Sequence, residues 1–205
     1  MDSEYSHPAY TRYPQLKELE ESRKNIMNLK DSIRTVLDFP IKGIQFRDIT
    51  SMLERPEALN QALIELTTKC MQFKATKLVA IESRGFIFGS PIARDLGMPL
   101  ILARKPGKLP NDTFQRSYKL EYGEAELHIQ RCSDIKATDK IIVIDDLIAT
   151  GGTAKACAGL ISQCFNVPKK NILVLAVIDL PDLGGSAIIK NAGFNVDALI
   201  DFEGE

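Results

Sequence analysis

The stretch IIVIDDLIATGGTA, residues 141–154, constrains the fold more than any other part of the chain. Apolar residues run unbroken from Ile141 to Ile144, and then two acids, Asp145 and Asp146, stand side by side. A short, β-branched apolar run of this kind predicts a strand buried on both faces. The small residues Ala149-Thr150-Gly151-Gly152-Thr153 follow almost at once, and the segment after them suits a helix. Strand, small-residue turn and helix form the repeating unit of a parallel sheet wrapped by helices.

The same rhythm recurs along the chain. LVAIES (78–83) leads into RGFIFGSPIARDL, a helix that Gly97 should stop, and PLILAR (99–104) is a further strand. NILVLAVIDL (171–180) is followed by the short helix GGSAIIKNAG, and FNVDALIDF (194–202) reads as a last strand. The alternation predicts an α/β fold with a mainly parallel central sheet flanked by helices. Pro56 suits the first turn of a helix that carries its apolar stripe to Phe73. SYKLEYGEAELHIQ alternates around Tyr122-Gly123 and predicts a β-hairpin, reached through a polar connection, KPGKLPNDTFQRS. The apolar positions between Leu16 and Leu37 fit one helical face over residues 14–37, and GIQFRDIT (43–50) is extended. Residues 1–25 are expected to be a flexible leader, with 26–205 as a single domain.

In parallel α/β sheets, ligands gather at the carboxyl ends of strands. Asp145 and Asp146 stand at such an end, and neighbouring strand residues face opposite ways. Two adjacent carboxylates there are costly unless something outside the core uses them. The small residues of 149–153 let backbone N–H groups approach an anion, and the following helix N-terminus favours a phosphate. Thr150 and Thr153 add hydroxyl donors. The combination predicts a reader of a phosphorylated polyol, with carboxylates for vicinal hydroxyls and the loop for the phosphate. GGTAK lacks the GxxxxGK[ST] spacing of a Walker loop, and a GxGxxG dinucleotide fingerprint is absent too.

Composition narrows the chemistry. The net charge of −1 offers no global basic field for nucleic acid or an anionic membrane. MDSEYSHPAY has no apolar signal-peptide core, and no run approaches the ~18 apolar residues of a membrane span. A cytoplasmic protein without nucleic-acid or membrane partners is the expectation. Cys70, Cys132, Cys157 and Cys164 lack CxxC spacing, and the chain has only two histidines, His7 and His128. Carboxylates, cations and backbone must carry the chemistry. Between Arg104 and Lys119 there are five cations, Arg104, Lys105, Lys108, Arg116 and Lys119, against one acid, Asp112.

These residues carry a resemblance. VIDDLIATGGTA is similar to the phosphoribosyl-pyrophosphate-binding motif of type I phosphoribosyltransferases. FPIKGIQFRDIT (39–50), ESRGFIFGSPIA (82–93), RKPGKLP (104–110) and YKLEYGEAELHIQ (118–130) resemble the adenine phosphoribosyltransferase family in the same order. The match covers roughly residues 30–180.

The resemblance implies the type I fold, with a small hood and a flexible loop or hairpin added to the sheet. It implies transfer of 5-phosphoribosyl from phosphoribosyl pyrophosphate to adenine, giving AMP and pyrophosphate, with Mg²⁺ held mainly by substrate and no dedicated metal site. By resemblance, Asp145 and Asp146 meet the ribose hydroxyls, and Ala149, Thr150, Gly151, Gly152 and Thr153 meet the 5′-phosphate. Ser83, Arg84, Arg104, Lys105 and Lys108 fall on the pyrophosphate side, where a loop peptide is sometimes cis. Gln45, Phe46, Arg47 and Arg84 surround adenine. Glu121, beside Tyr122, matches the family's general acid at the base. A homodimer is implied as well, with 14–37 and 82–105 as candidate contacts. Two other readings stay open: a transferase for another purine base, and a non-catalytic regulator that binds phosphoribosyl pyrophosphate. AVIDLPDL lacks the lysine that related hypoxanthine enzymes use, which favours adenine.

Overall fold

A computed structural model describes residues 27–120 and 123–204, and the side chains of these except at 119, 120, 123 and 124. The expected leader, most of the expected 14–37 helix, Glu121 and Tyr122 lie outside the described residues.

Five strands form the central sheet: β3 (Lys77–Ile81), β4 (Leu100–Ala103), β7 (Ile141–Ile148), β8 (Ile172–Asp179) and β9 (Asn195–Asp201). Their order is β4-β3-β7-β8-β9, and every pairing is parallel. The apolar runs that suggested strands buried on both faces are just that, and β8 is buried along its whole length. Alternate residues serve opposite layers. Leu78, Ala80, Ile142, Ile144, Leu173 and Leu175 pack on one side against α2 (Pro56–Phe73) and α3 (Gly85–Leu96). Val79, Ile81, Ile141, Val143, Ile172 and Val174 pack on the other against α4 (Gly152–Cys164). Each fully buried Val, Leu or Ile contributes roughly 1.5–3 kcal/mol, so a slip of one residue in any strand would be prohibitive.

The helix boundaries follow local chemistry. Pro56 opens α2, and Gly97, at φ 60°, closes α3 in the left-handed conformation. A short helix α1 (Thr50–Leu53) precedes α2, and α5 (Gly185–Asn191) links β8 to β9.

Two antiparallel pairs stand apart from the sheet. β1 (Arg34–Leu37) pairs with β2 (Gln45–Asp48), forming the hood. This corrects the expected helix over 14–37 at its C-terminal end: Leu29–Ser32 is a 3₁₀ turn and the next residues are strand. The apolar spacing fitted a helical face, but Thr35 and Val36 are β-branched and β2 supplies a pairing partner. The second pair, β5 (Thr113–Leu120) and β6 (Gly123–Gln130), is the expected hairpin. β5 starts earlier than the polarity of KPGKLPNDTFQRS suggested. A bridge between Arg104 and His128 ties the hairpin to the edge of the sheet beside β4.

Candidate active site

The carboxyl ends of β3 and β7 open into a cleft of about 800 Å³, with residues of β5 and β6 forming another wall. Its lining includes Glu82, Ser83, Arg84, Lys105, Ser117, Tyr118, Glu126 and all of 145–154. The volume falls within the ~300–1,000 Å³ usual for small-molecule sites.

Asp146 is only 4% exposed, and its Oδ2 lies 2.7 Å from Arg84 Nε. Arg84 reaches it because it stands at the start of α3, pressed against the end of β7. A Cβ on Gly85 would come within 2.5 Å of the Ile144 carbonyl oxygen. Asp145 Oδ1 accepts a 2.9 Å hydrogen bond from the Asp146 backbone N–H. Burial, and then the Asp146 charge, push the Asp145 carboxyl well above the usual carboxylate range. The same neighbourhood raises the Cys157 thiol, through burial first and the Asp145 charge second, so Cys157 is no nucleophile. Burial likewise pushes the Cys70 thiol up to about 12.

The loop after β7 is held by backbone against backbone. Gly151 caps α4 at φ 74°, and a Cβ on it would stand 2.6 Å from the Gly185 carbonyl oxygen. Gly185, at the start of α5, is pressed harder still: a Cβ there would stand 2.1 Å from the Ala149 carbonyl oxygen. In the sequence the Gly184-Gly185 pair reads only as part of the short helix GGSAIIKNAG. Its contact with the 149–151 loop joins segments more than thirty residues apart, which no local pattern reveals.

Glu82 organises the opposite wall. Its carboxylate accepts from the Lys105 backbone N–H at 2.9 Å and from Arg104 Nε and Nη2, each at 3.2 Å. Burial alone would raise this carboxyl, but those donors outweigh it and hold the pKa below its ordinary value. The Glu82–Ser83 peptide is cis. The cleft therefore joins Ser83, Arg84, Lys105, Asp145, Asp146 and 149–153. Arg104 and Lys108 are not on its lining: Arg104 is bound to Glu82 and donates to the Lys108 carbonyl oxygen at 2.9 Å.

Gln45, Phe46 and Arg47 stand outside the cleft lining, on β2. Residues near the C-terminus hold two of them. Gln45 Nε2 donates to the Gly204 carbonyl oxygen at 2.8 Å, and the Arg47 guanidinium lies over the Phe202 ring at 4.4 Å. Phe46 meets Phe39 edge-on, with ring centroids 5.1 Å apart. Tyr118, Ser117 and Glu126, all on the cleft wall, were not singled out in the sequence. The alternation of the hairpin was visible, but not which face would meet the sheet.

Comparison with known proteins gives this geometry its context. The model of the phosphoribosyl transferase domain matches residues 49–164, more than half of the chain. An adenine phosphoribosyltransferase of Actinobacillus succinogenes is 45% identical over 182 residues, covering 88% of this chain and 98% of its own. The chain belongs to the adenine phosphoribosyltransferase family.

Solved structures of the family share the architecture. The enzyme of Giardia lamblia, crystallised with 9-deazaadenine, superposes with a TM-score of 0.79 at 32% identity, covering 86% of this chain and 99% of that one. That of Saccharomyces cerevisiae, complexed with an imino-altritol bisphosphate and adenine, gives 0.72 at 29% identity, covering 90% and 99%. The β7–loop–α4 unit with its acid pair lies within the matched domain. So do the β3 and β4 loops and the hairpin, whereas β2 lies just before it.

Proposed function

We propose that this chain transfers the 5-phosphoribosyl group of phosphoribosyl pyrophosphate to adenine, releasing pyrophosphate and forming AMP, in purine salvage. One observation carries the reading: two carboxylates on β7 and a backbone-lined, helix-capping loop share one cleft, in a chain 45% identical to an adenine phosphoribosyltransferase. In the reaction the bond from C1′ to the pyrophosphate oxygen breaks with its electron pair leaving on oxygen. The bond from adenine N9 to C1′ forms, and the base loses its N9 proton.

Asp145 and Asp146 are suited to the two ribose hydroxyls. Residues 149–153 offer backbone N–H groups, two hydroxyls and the positive end of α4 to the 5′-phosphate. Ser83, Arg84 and Lys105 face the cleft where the pyrophosphate would lie, and Arg104 and Lys108 back that wall. Arg84 is bound to Asp146, so one guanidinium links the leaving-group side to the ribose side. Charge fixed before the reaction begins stabilises a leaving pyrophosphate at no reorganisation cost. Gln45, Phe46 and Arg47 take the base by resemblance, and Glu121, with Tyr122 beside it, supplies a proton or hydrogen bond at N7.

Mg²⁺ suits this site. Among the described residues no group of three His, Cys, Asp or Glu side chains could hold a metal ion. Held mainly by substrate oxygens and waters, as the resemblance implies, the ion would need no such group. When bound, it would neutralise charge on the departing pyrophosphate.

We also infer a homodimer in the cytoplasm. Ile87 on α3, within the 82–105 segment, is 40% exposed and suits a subunit contact. All four cysteines are unpaired, as in a reducing compartment. Light scattering tests the dimer. For the activity, product is assayed from adenine, hypoxanthine, guanine and xanthine, each with phosphoribosyl pyrophosphate and Mg²⁺. AMP from adenine alone is expected, and turnover of a 6-oxo purine would overturn the base assignment.

A further inference from the structure

Arg116 belongs to the cationic stretch between Arg104 and Lys119, yet it is not on the cleft lining. Along β5, Phe114, Arg116 and Tyr118 are half-buried, while Gln115 and Ser117 are exposed. The half-buried side packs along α4. Phe114 meets Phe165 edge-on at 5.2 Å, just past the helix C-terminus. Arg116 Nη1 donates to Gln163 Oε1 at 2.8 Å, and the guanidinium fills the gap above Gly159. A Cβ at 159 would stand 2.5 Å from Nη1 and 2.9 Å from Cζ. Tyr118, the next residue on that side, reaches the cleft beside Ala154 in the first turn of the helix.

Glycine is the poorest helix-interior residue after proline. Position 159 is buried in the middle of α4, where alanine would ordinarily be preferred. The guanidinium accounts for it: only a residue without Cβ leaves room for a planar group to lie on the helix backbone. The helix that presents the phosphate loop at one end therefore carries, along its side, a socket for the strand leading to Glu121 and Tyr122.

We propose that Arg116 is a positioning residue. Seated on Gly159 and bonded to Gln163, it fixes the β5–β6 hairpin in register along α4, and so sets where residues 121–122 meet the substrate bound at the α4 N-terminus. The proposal rests on the role given above to Glu121. It requires a guanidinium: Lys at 116 keeps the charge but loses the planar fork.

The test is a cycle of Arg116→Ala and Gly159→Ala, with Arg116→Lys and Glu121→Gln alongside, assayed for AMP formation and for amide hydrogen exchange over 113–130. Arg116→Ala should lower kcat at least tenfold, with KM for phosphoribosyl pyrophosphate within twofold, and should speed exchange in the hairpin. Gly159→Ala should do the same when Arg116 is present, by expelling the guanidinium, and add nothing when position 116 is already Ala. Arg116→Lys should not restore kcat. Unchanged kcat and exchange in Arg116→Ala overturn the proposal, as does a loss in Gly159→Ala that persists in the double variant. A fall in Tm with kcat and KM intact would make the contact structural only, which also overturns it. If Glu121→Gln keeps full kcat while Arg116→Ala still speeds exchange, the Glu121 role has failed and the latch has not.

Discussion

Arg84 Nε lies 2.7 Å from Asp146 Oδ2, joining the start of α3 to the end of β7 across the floor of the cleft. Asp146 is nearly buried, whereas the Arg84 side chain is 45% exposed, so the acid depends on the pair more than the base does.

Removing Arg84 therefore has two consequences. Arg84→Ala should reduce kcat/KM at least 100-fold, as loss of a preorganised charge at the leaving group does. It should also destabilise the protein by about 1–2 kcal/mol, less than a fully buried pair would lose, because water reaches the arginine side. Arg84→Ala combined with Asp146→Asn should recover the stability and none of the activity. Urea titration and initial rates on the single and double variants check both halves.

Asp145 is expected to trade stability for function. Its carboxyl titrates well above the ordinary range because it is buried and stands next to Asp146. Between the unfolded value near ~3.9 and that raised value, the folded state holds a proton that the unfolded chain has released. Stability contributed by this group is therefore lost as pH rises through that window. Asp145→Asn should raise Tm by about 2–4 °C at neutral pH and abolish turnover, and the gain should vanish below about pH 4. Thermal melts from pH 4 to 8 test the sign. A gain that grows on acidification would refute it.

Gly185 should matter to the phosphate although it belongs to another crossover. A Cβ there must displace the Ala149 carbonyl oxygen and the Gly151 N–H, the backbone that forms the loop. Gly185→Ala should raise KM for phosphoribosyl pyrophosphate about tenfold or more, with a much smaller change for adenine. Steady-state kinetics with each substrate varied separates the two.

The C-terminal strap supports the hood. Phe202 is buried between the Lys30 ammonium at 4.7 Å and the Arg47 guanidinium at 4.4 Å, and Gly204 is bonded to both Gln45 and Asp182. Phe202→Leu keeps an apolar side chain and removes the ring faces, each worth about 0.5–1 kcal/mol to a cation. KM for adenine should rise about fivefold, the equivalent of ~1 kcal/mol, with KM for phosphoribosyl pyrophosphate unchanged. An equal rise in both would mean that the strap does not act through the base site.

The sheet was legible in the sequence because a strand buried on both faces needs a continuous apolar run, and β3, β7 and β8 each have one. Asp145, Asp146 and the 149–153 loop were legible for a related reason: strand, acids and cradle are adjacent in the chain, so their relation is local. What only the tertiary structure decided is everything that depends on which segment lies beside which. Residues 34–37 became strand because β2 was there to pair with. Arg104 turned to Glu82, Arg116 to Gly159, and Arg47 to Phe202, each choosing a partner distant in sequence. A cation's position in the chain reveals its charge. Where that charge is spent depends on packing, because the partners are brought together only when the two layers of the core close on the sheet.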